Sequence, residues 1–121
     1  MAIKKILVVD DSPTERFALM EFLSRHGYSV VTADNGEEGV IKAKAEMPDL
    51  ILMDVVMPGI NGYQATRTIS RDEATRNIPI IMTTSKDQET DKIWGMRQGA
   101  FDYMTKPLDL DGLLQKIQAI A

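Results

Sequence analysis

The chain contains no cysteine among its 121 residues, which excludes disulfides, thiolate metal sites and thiol catalysis. Its absence also fits a reducing compartment. No apolar run approaches the ~20 residues needed to cross a bilayer. The N-terminus, Met1-Ala2-Ile3-Lys4-Lys5, leads straight into a short apolar segment; the longer apolar core and small-residue cleavage site of a signal peptide are missing. These absences predict a soluble, cytoplasmic protein without a membrane partner. Clusters of Lys and Arg are missing too, and the formal net charge is −4. Phosphate backbones are bound by clustered cations, so nucleic acid is not an expected partner. Neither GxxxxGKS/T nor GxGxxG occurs, and with them goes any recognisable nucleotide-phosphate cradle. The lone His26 follows Arg25 at a predicted helix end, where it reads as a solvated residue favourable to the helix dipole.

What is present is an ordinary globular composition, 44% hydrophobic and 26% charged, long enough to bury a core without staples. No linker, repeat or low-complexity tract divides it, so residues 1–121 are expected to form one domain with no output domain after the last helix. Short apolar runs alternate with amphipathic stretches, the pattern of repeated βαβ units. The spacing predicts strands over 4–9, 29–33, 49–53, 78–83 and 101–105, with helices over 13–26, 36–46, 62–71, 88–98 and 109–120. Ser12-Pro13, with Glu15 at the capping-box spacing, opens the first helix. Phe17, Met20, Leu23 and Ser24 then fall on one stripe, and Gly27 is placed to end that helix. Asn35-Gly36 precedes the second helix, Pro48 follows it, and Gly99 closes the fourth. Asp109 can cap the fifth, whose Leu113, Leu114, Ile117 and Ile120 mark an inward face. The expected fold class is α/β, a doubly wound (βα)5 three-layer sandwich with the flavodoxin-like strand order 2-1-3-4-5.

Polar residues then gather at one predicted edge. Asp10-Asp11, Asp54, Thr84 and Lys106 each follow an apolar strand segment, and open parallel sheets bind ligands beyond the carboxyl ends of their strands. Asp10 and Asp11 alone read equally well as surface charge or a helix cap. Asp54 shifts that balance, because a carboxylate partly desolvated beside like charges is costly without a cation. Mg²⁺ suits a few carboxylates, a backbone carbonyl and several waters, whereas Ca²⁺ prefers more protein oxygens. Lys106, between Thr105 and Pro107, reads as a fixed point charge, and Pro107 is a candidate for a cis peptide bond. One hydroxyl of Thr83-Thr84-Ser85 can donate to a phosphoryl oxygen. Together these groups suit transfer of a phosphoryl group from a phosphorylated donor to a carboxylate.

The motifs Ile-Leu-Val-Val-Asp10-Asp11-Ser, Leu-Met-Asp54-Val-Val-Met-Pro58-Gly-Ile-Asn-Gly62, Thr84-Ser85 and Thr-Lys106-Pro107 closely resemble those of two-component response regulator receiver domains, and the likeness runs along the whole chain. The nearest architecture is the chemotaxis-type single-domain regulator. The resemblance implies that Asp54 is the phosphoacceptor. It also implies that Asp10, Asp11, Asp54 and the backbone carbonyl of Val56 hold Mg²⁺. Lys106 would pair with the phosphoryl group, Thr84 would be the switch hydroxyl and Tyr103 the switch aromatic that moves as Thr84 moves. Ser12-Pro13-Thr14-Glu15 and the stretch from Lys86 to Gly95 further resemble PilH-type regulators of type IV pili and twitching motility. The implied partners are a sensor histidine kinase as phosphodonor and a downstream protein target. The implied oligomeric state is a monomer or a weak dimer through the fourth helix, fifth strand and fifth helix. Trp94, the one tryptophan, and Tyr103 are candidates for the partner face, though Trp94 fits core packing equally well. Gly95 beside it either loosens the fourth helix or allows a close approach. A phosphate sink for a shared kinase is an alternative role. An aspartyl-phosphate phosphatase is disfavoured, because Ser12 and Val56 stand where a second acid follows the nucleophile in such enzymes. No turnover of an external substrate is expected.

Overall fold

The computed structural model describes residues 2–120. Strands β1 (Lys5–Val9), β2 (Ser29–Ala33), β3 (Leu50–Met53), β4 (Ile80–Thr84) and β5 (Asp102–Thr105) alternate with helices α1 (Pro13–Arg25), α2 (Gly36–Glu46), α3 (Gly62–Arg71), α4 (Glu89–Arg97) and α5 (Leu110–Ile120). All strand pairs are parallel, and the sheet order is β2-β1-β3-β4-β5. This is the expected doubly wound sandwich, with boundaries within two residues of the sequence reading.

The central strands are apolar on both faces because each face meets its own helices. Ile6, Val8, Leu50, Leu52 and Ile81 pack with Leu19 and Leu23 of α1 and Leu113 and Ile117 of α5. Their neighbours Leu7, Val9, Ile51, Met53 and Ile80 pack with Ala43 of α2 and Ala65 and Ile69 of α3. The two-residue period of a strand thus divides one continuous apolar run between two cores. A smaller cluster of Val55, Tyr63, Met82 and Ala100, with Tyr103 against it, lies beneath α4.

Three local expectations are corrected. First, α1 turns Leu19, Phe22 and Leu23 to the core, while Phe17 is 60% exposed and Ser24 is also exposed. Apolar residues run almost all round this helix, so spacing alone does not select the buried stripe. Second, β4 begins at Ile80, past Pro79, and includes Thr84; a proline lacks the N–H that a ladder position requires. Third, only half of the capping box at α1 forms. The Ser12 hydroxyl accepts from the Glu15 amide at 3.3 Å, but the Ser12 amide donates to Asp10 Oδ1 at 2.9 Å.

The other helix signals are met. Asn35 accepts from the Glu38 amide at 2.8 Å, and Gly27 and Gly99 follow α1 and α4. The Asp109 carbonyl accepts the first backbone bond of α5, from Leu113, at 2.9 Å. Leu113 and Ile117 are the buried residues of α5, and Ile120 packs at the edge of the same core. The remaining inward candidate, Leu114, is only partly buried.

Candidate functional site

The site arises where the chain changes direction. The helix after β1 covers one face of the sheet and the helix after β3 covers the other, which opens a crevice between the carboxyl ends of these adjacent strands. Val9 and Met53 are register partners, so the next residues, Asp10 and Asp54, leave the sheet side by side. The Asp54 amide donates to the Val9 carbonyl at 2.9 Å, and the Asp10 amide donates to the Ala33 carbonyl at 3.1 Å. Behind Asp54 lies Gly62, the first residue of α3. A Cβ on Gly62 would come within 2.0 Å of the Asp54 carbonyl oxygen, so only glycine lets α3 begin this close to β3.

Asp10, Asp11 and Asp54 each present a carboxylate oxygen within 4.8 Å of the others. Asp10 and Asp54 are buried, and Asp11 is exposed. Burial first, and then the charge of Asp10, push the Asp54 pKa up to about 6, against the opposing pull of Lys106 and the Val55 amide. That amide donates to Asp54 Oδ1 at 2.8 Å. Lys106 reaches the same place from the far edge of the sheet. Its amide donates to the Thr84 carbonyl at 2.7 Å, and the Lys106-Pro107 peptide is cis. Its ammonium donates to Asp10 Oδ2 at 2.9 Å and also to Glu15 Oε2, and lies 3.6 Å from Asp54 Oδ1. Burial disfavours the charge on Lys106, but the bonds to Asp10 and Glu15 and the field of Asp54 outweigh it and raise the pKa.

Thr84 is fully buried at the end of β4. Its hydroxyl oxygen accepts from the Lys86 amide at 3.2 Å, which leaves its O–H free to donate. The Tyr103 hydroxyl donates to the Lys86 carbonyl at 2.8 Å, so Thr84 and Tyr103 hold opposite sides of one residue in the β4–α4 loop. Tyr63 of α3 adds a third tie, its hydroxyl donating to the Asp91 carbonyl at 3.2 Å. Burial, and then the neighbouring Tyr63 hydroxyl, raise the Tyr103 pKa. Gly95 is explained by close approach: a Cβ there would meet Met82 Sδ at 2.7 Å and the Tyr103 ring at 3.1 Å. Trp94 is 50% exposed and is not core. The Val56 side chain is exposed as well, and His26 lies exposed with Nδ1 3.0 Å from the Phe22 carbonyl.

Asp10, Asp11, Asp54 and Lys106 therefore converge, and Thr84 joins them through the backbone bond to Lys106. Tyr103 and Trp94 stand apart, toward α4. Sequence reasoning missed two residues of this site, Glu15 on Lys106 and Arg16, whose Nη1 donates to the Asp10 carbonyl at 2.6 Å. Glu15 and Lys106 are separated by 91 positions, so nothing local marks the pair. The donor set suits a hard divalent cation: all oxygen, few in number, and with a like-charge strain on Asp54 that one lysine does not cancel.

Comparison with known proteins follows the same line. Residues 6–118 match the family described as the response regulator receiver domain. The chain is 56% identical to the Pseudomonas aeruginosa protein PilH over 116 residues, covering 96% of each. It is similar to the structure of the Vibrio cholerae chemotaxis protein CheY4, with a TM-score of 0.92, 32% identity and coverage of 99% and 100% of the two chains. It is also similar to the receiver domain of a Pseudomonas aeruginosa sensor histidine kinase, at a TM-score of 0.89 and 33% identity, with 98% and 97% covered. That crystal structure has a magnesium ion coordinated in the active-site cleft.

Proposed function

The chain belongs to the response regulator receiver family, and from that premise we propose that it is a stand-alone phosphorelay switch whose phosphoacceptor is Asp54. One observation carries the reading: a buried carboxylate with a raised pKa stands between two further acids and a lysine at the sheet's switch point. Deprotonated Asp54 attacks the phosphorus of a donor, either a phosphohistidine of a sensor kinase or a small acyl phosphate. A new O–P bond forms as the donor's bond to phosphorus breaks, and the leaving group departs with the electron pair.

Asp10, Asp11, Asp54 and the Val56 carbonyl would hold Mg²⁺. When bound, that cation supplies positive charge against the oxygens of the transferred group. The chain's own residues do the rest. Lys106, kept protonated, pairs with a phosphoryl oxygen, and Thr84 gives its free O–H to another. Drawing Thr84 toward the phosphoryl group releases its hold on the Lys86 amide and so disturbs the loop that Tyr103 grips from the other side. The result is a population shift at α4, β5 and α5, driven by contacts to one new dianion.

The likeness to PilH supports a place in type IV pilus and twitching-motility signalling, in the cytoplasm, with a protein as the downstream target. Trp94 and Tyr103 belong to the face that target would read, whether the protein acts as a monomer or as a weak dimer through that face. In this reading the single domain 1–121 turns over no external substrate. Incubation with acetyl phosphate and Mg²⁺ should add one phosphoryl group by intact-protein mass spectrometry, and Asp54→Asn should abolish it. Unchanged labelling of that variant would refute the acceptor assignment.

A further inference from the structure

Glu15 has no part in the reading above, yet it touches the group on which that reading depends. It stands at the third position of α1, where the Ser12 amide would ordinarily engage its carboxylate. Asp10 has taken that amide. The Glu15 carboxylate turns instead to the Lys106 ammonium.

The ammonium has three anionic neighbours, and they differ in how readily they can let go. Asp10 and Asp54 side chains are 1% and 8% exposed, whereas Glu15 is 44% exposed. Releasing either buried acid strands a charge away from water. Releasing Glu15 returns its carboxylate to solvent at little cost. Asp54 is also the most distant of the three, at 3.6 Å. For Lys106 to bind a group arriving on Asp54, the bond to yield is therefore the one to Glu15. The same carboxylate adds a fourth negative charge to the site, beside the cluster of Asp10, Asp11 and Asp54.

We infer that Glu15 is a positioning residue that holds Lys106 in the unphosphorylated protein and competes with the incoming phosphoryl group for its ammonium, slowing phosphoryl uptake. This rests on Asp54 being the phosphoacceptor. In the reaction followed, an Asp54 oxygen bonds to the phosphorus of acetyl phosphate. The bond from that phosphorus to the acetyl oxygen breaks, and acetate leaves with the electron pair. Nothing is oxidised or reduced, and Glu15 acts only through Lys106.

The test is the rate of single labelling by acetyl phosphate at saturating Mg²⁺ in wild type, Glu15→Gln, Glu15→Ala and Glu15→Asp, each also melted to check folding. Removing the charge should speed labelling by about threefold to tenfold at low ionic strength, with the gain shrinking toward unity at ~1 M salt. Glu15→Asp, which keeps the charge, should label at close to the wild-type rate. A purely structural role would lower the melting temperature without accelerating labelling. Rates in Glu15→Gln and Glu15→Ala that are unchanged or slower, or an equal acceleration in Glu15→Asp, would overturn the inference. Labelling that survives in Asp54→Asn would instead remove the premise, and the inference with it.

Discussion

Asp54 is the residue at which burial and charge most directly oppose each other. Its folded-state pKa, about 6, lies above the ordinary value of 3.8 because burial and the Asp10 carboxylate both disfavour its charge. Between these two values the folded state binds more protons than the unfolded chain, so stability contributed by this group falls as pH rises through that window. Without Mg²⁺, the wild type should therefore lose stability between about pH 4 and pH 6 relative to Asp54→Asn. Above pH 6 the variant should be the more stable by about 1–2 kcal/mol once solvent screening is allowed for. Chemical denaturation across pH in the presence of a chelator measures the difference, and a constant gap would contradict the assignment. Mg²⁺ should narrow the gap, since a cation offsets the like charges. Asp10, Asp11, Asp54, Thr84 and Lys106 were legible at this scale because each closes an apolar run and so stands out against its neighbours. Glu15 was not. Its residue type and position satisfy a local rule for helix starts, and only the competing bond from Ser12 to Asp10 turns the side chain toward Lys106.

At the scale of elements, α4 is the exception among the helices. Its one buried residue is Gly95, and Ile93, Trp94 and Met96 are all about half exposed. In an exposed helix, Gly→Ala gains roughly 1 kcal/mol in helix propensity. Here the added methyl would lie 2.7 Å from Met82 Sδ and 3.1 Å from the Tyr103 ring. Met82 is fully buried and has little room to yield. The overpacking outweighs the propensity gain, and Gly95→Ala should destabilise by about 1–2 kcal/mol in urea unfolding. A stabilised variant would show that α4 shifts freely over β5. The sequence offered both explanations of this glycine, and the choice needed the distance to a strand partner. Element boundaries were legible wherever a cap or stop residue stands, as at Asn35 and Gly99. The inward stripe of α1 was not, because its apolar residues surround the helix and only packing against β1 and β3 favours Leu19 and Leu23 over Phe17.

Across the whole molecule, β3 carries an acid at each end, and the sheet treats the two in opposite ways. Asp54 at the carboxyl end is pushed up. Asp49 at the amino end is held below the ordinary carboxylate range, first by the Lys5 amide and then by the Lys4 amide. Both amides donate to Asp49 Oδ2, at 3.0 and 2.9 Å, and tie the start of β1 to that of β3 across the centre of the sheet. The doubly wound architecture was legible because runs apolar on both faces belong between two helix layers, whereas those runs leave the strand order open and the pairing of the strands shows it. This amino-end tie was not legible, since an acid before a strand looks the same whether its partner is water or a distant backbone. A depressed folded pKa contributes stability that is fully present above the ordinary pKa and is lost as pH falls through the folded one. Asp49→Ala should accordingly cost about 1 kcal/mol at pH 7, a figure reduced by the partial exposure of the site. That cost should fade below about pH 4, opposite in sign to the trend at Asp54. The phosphoryl uptake proposed for Asp54 should be the same in this variant as in the wild type, because the two acids lie at opposite ends of β3. A loss of stability independent of pH would assign the effect of Asp49 to packing and not to its charge.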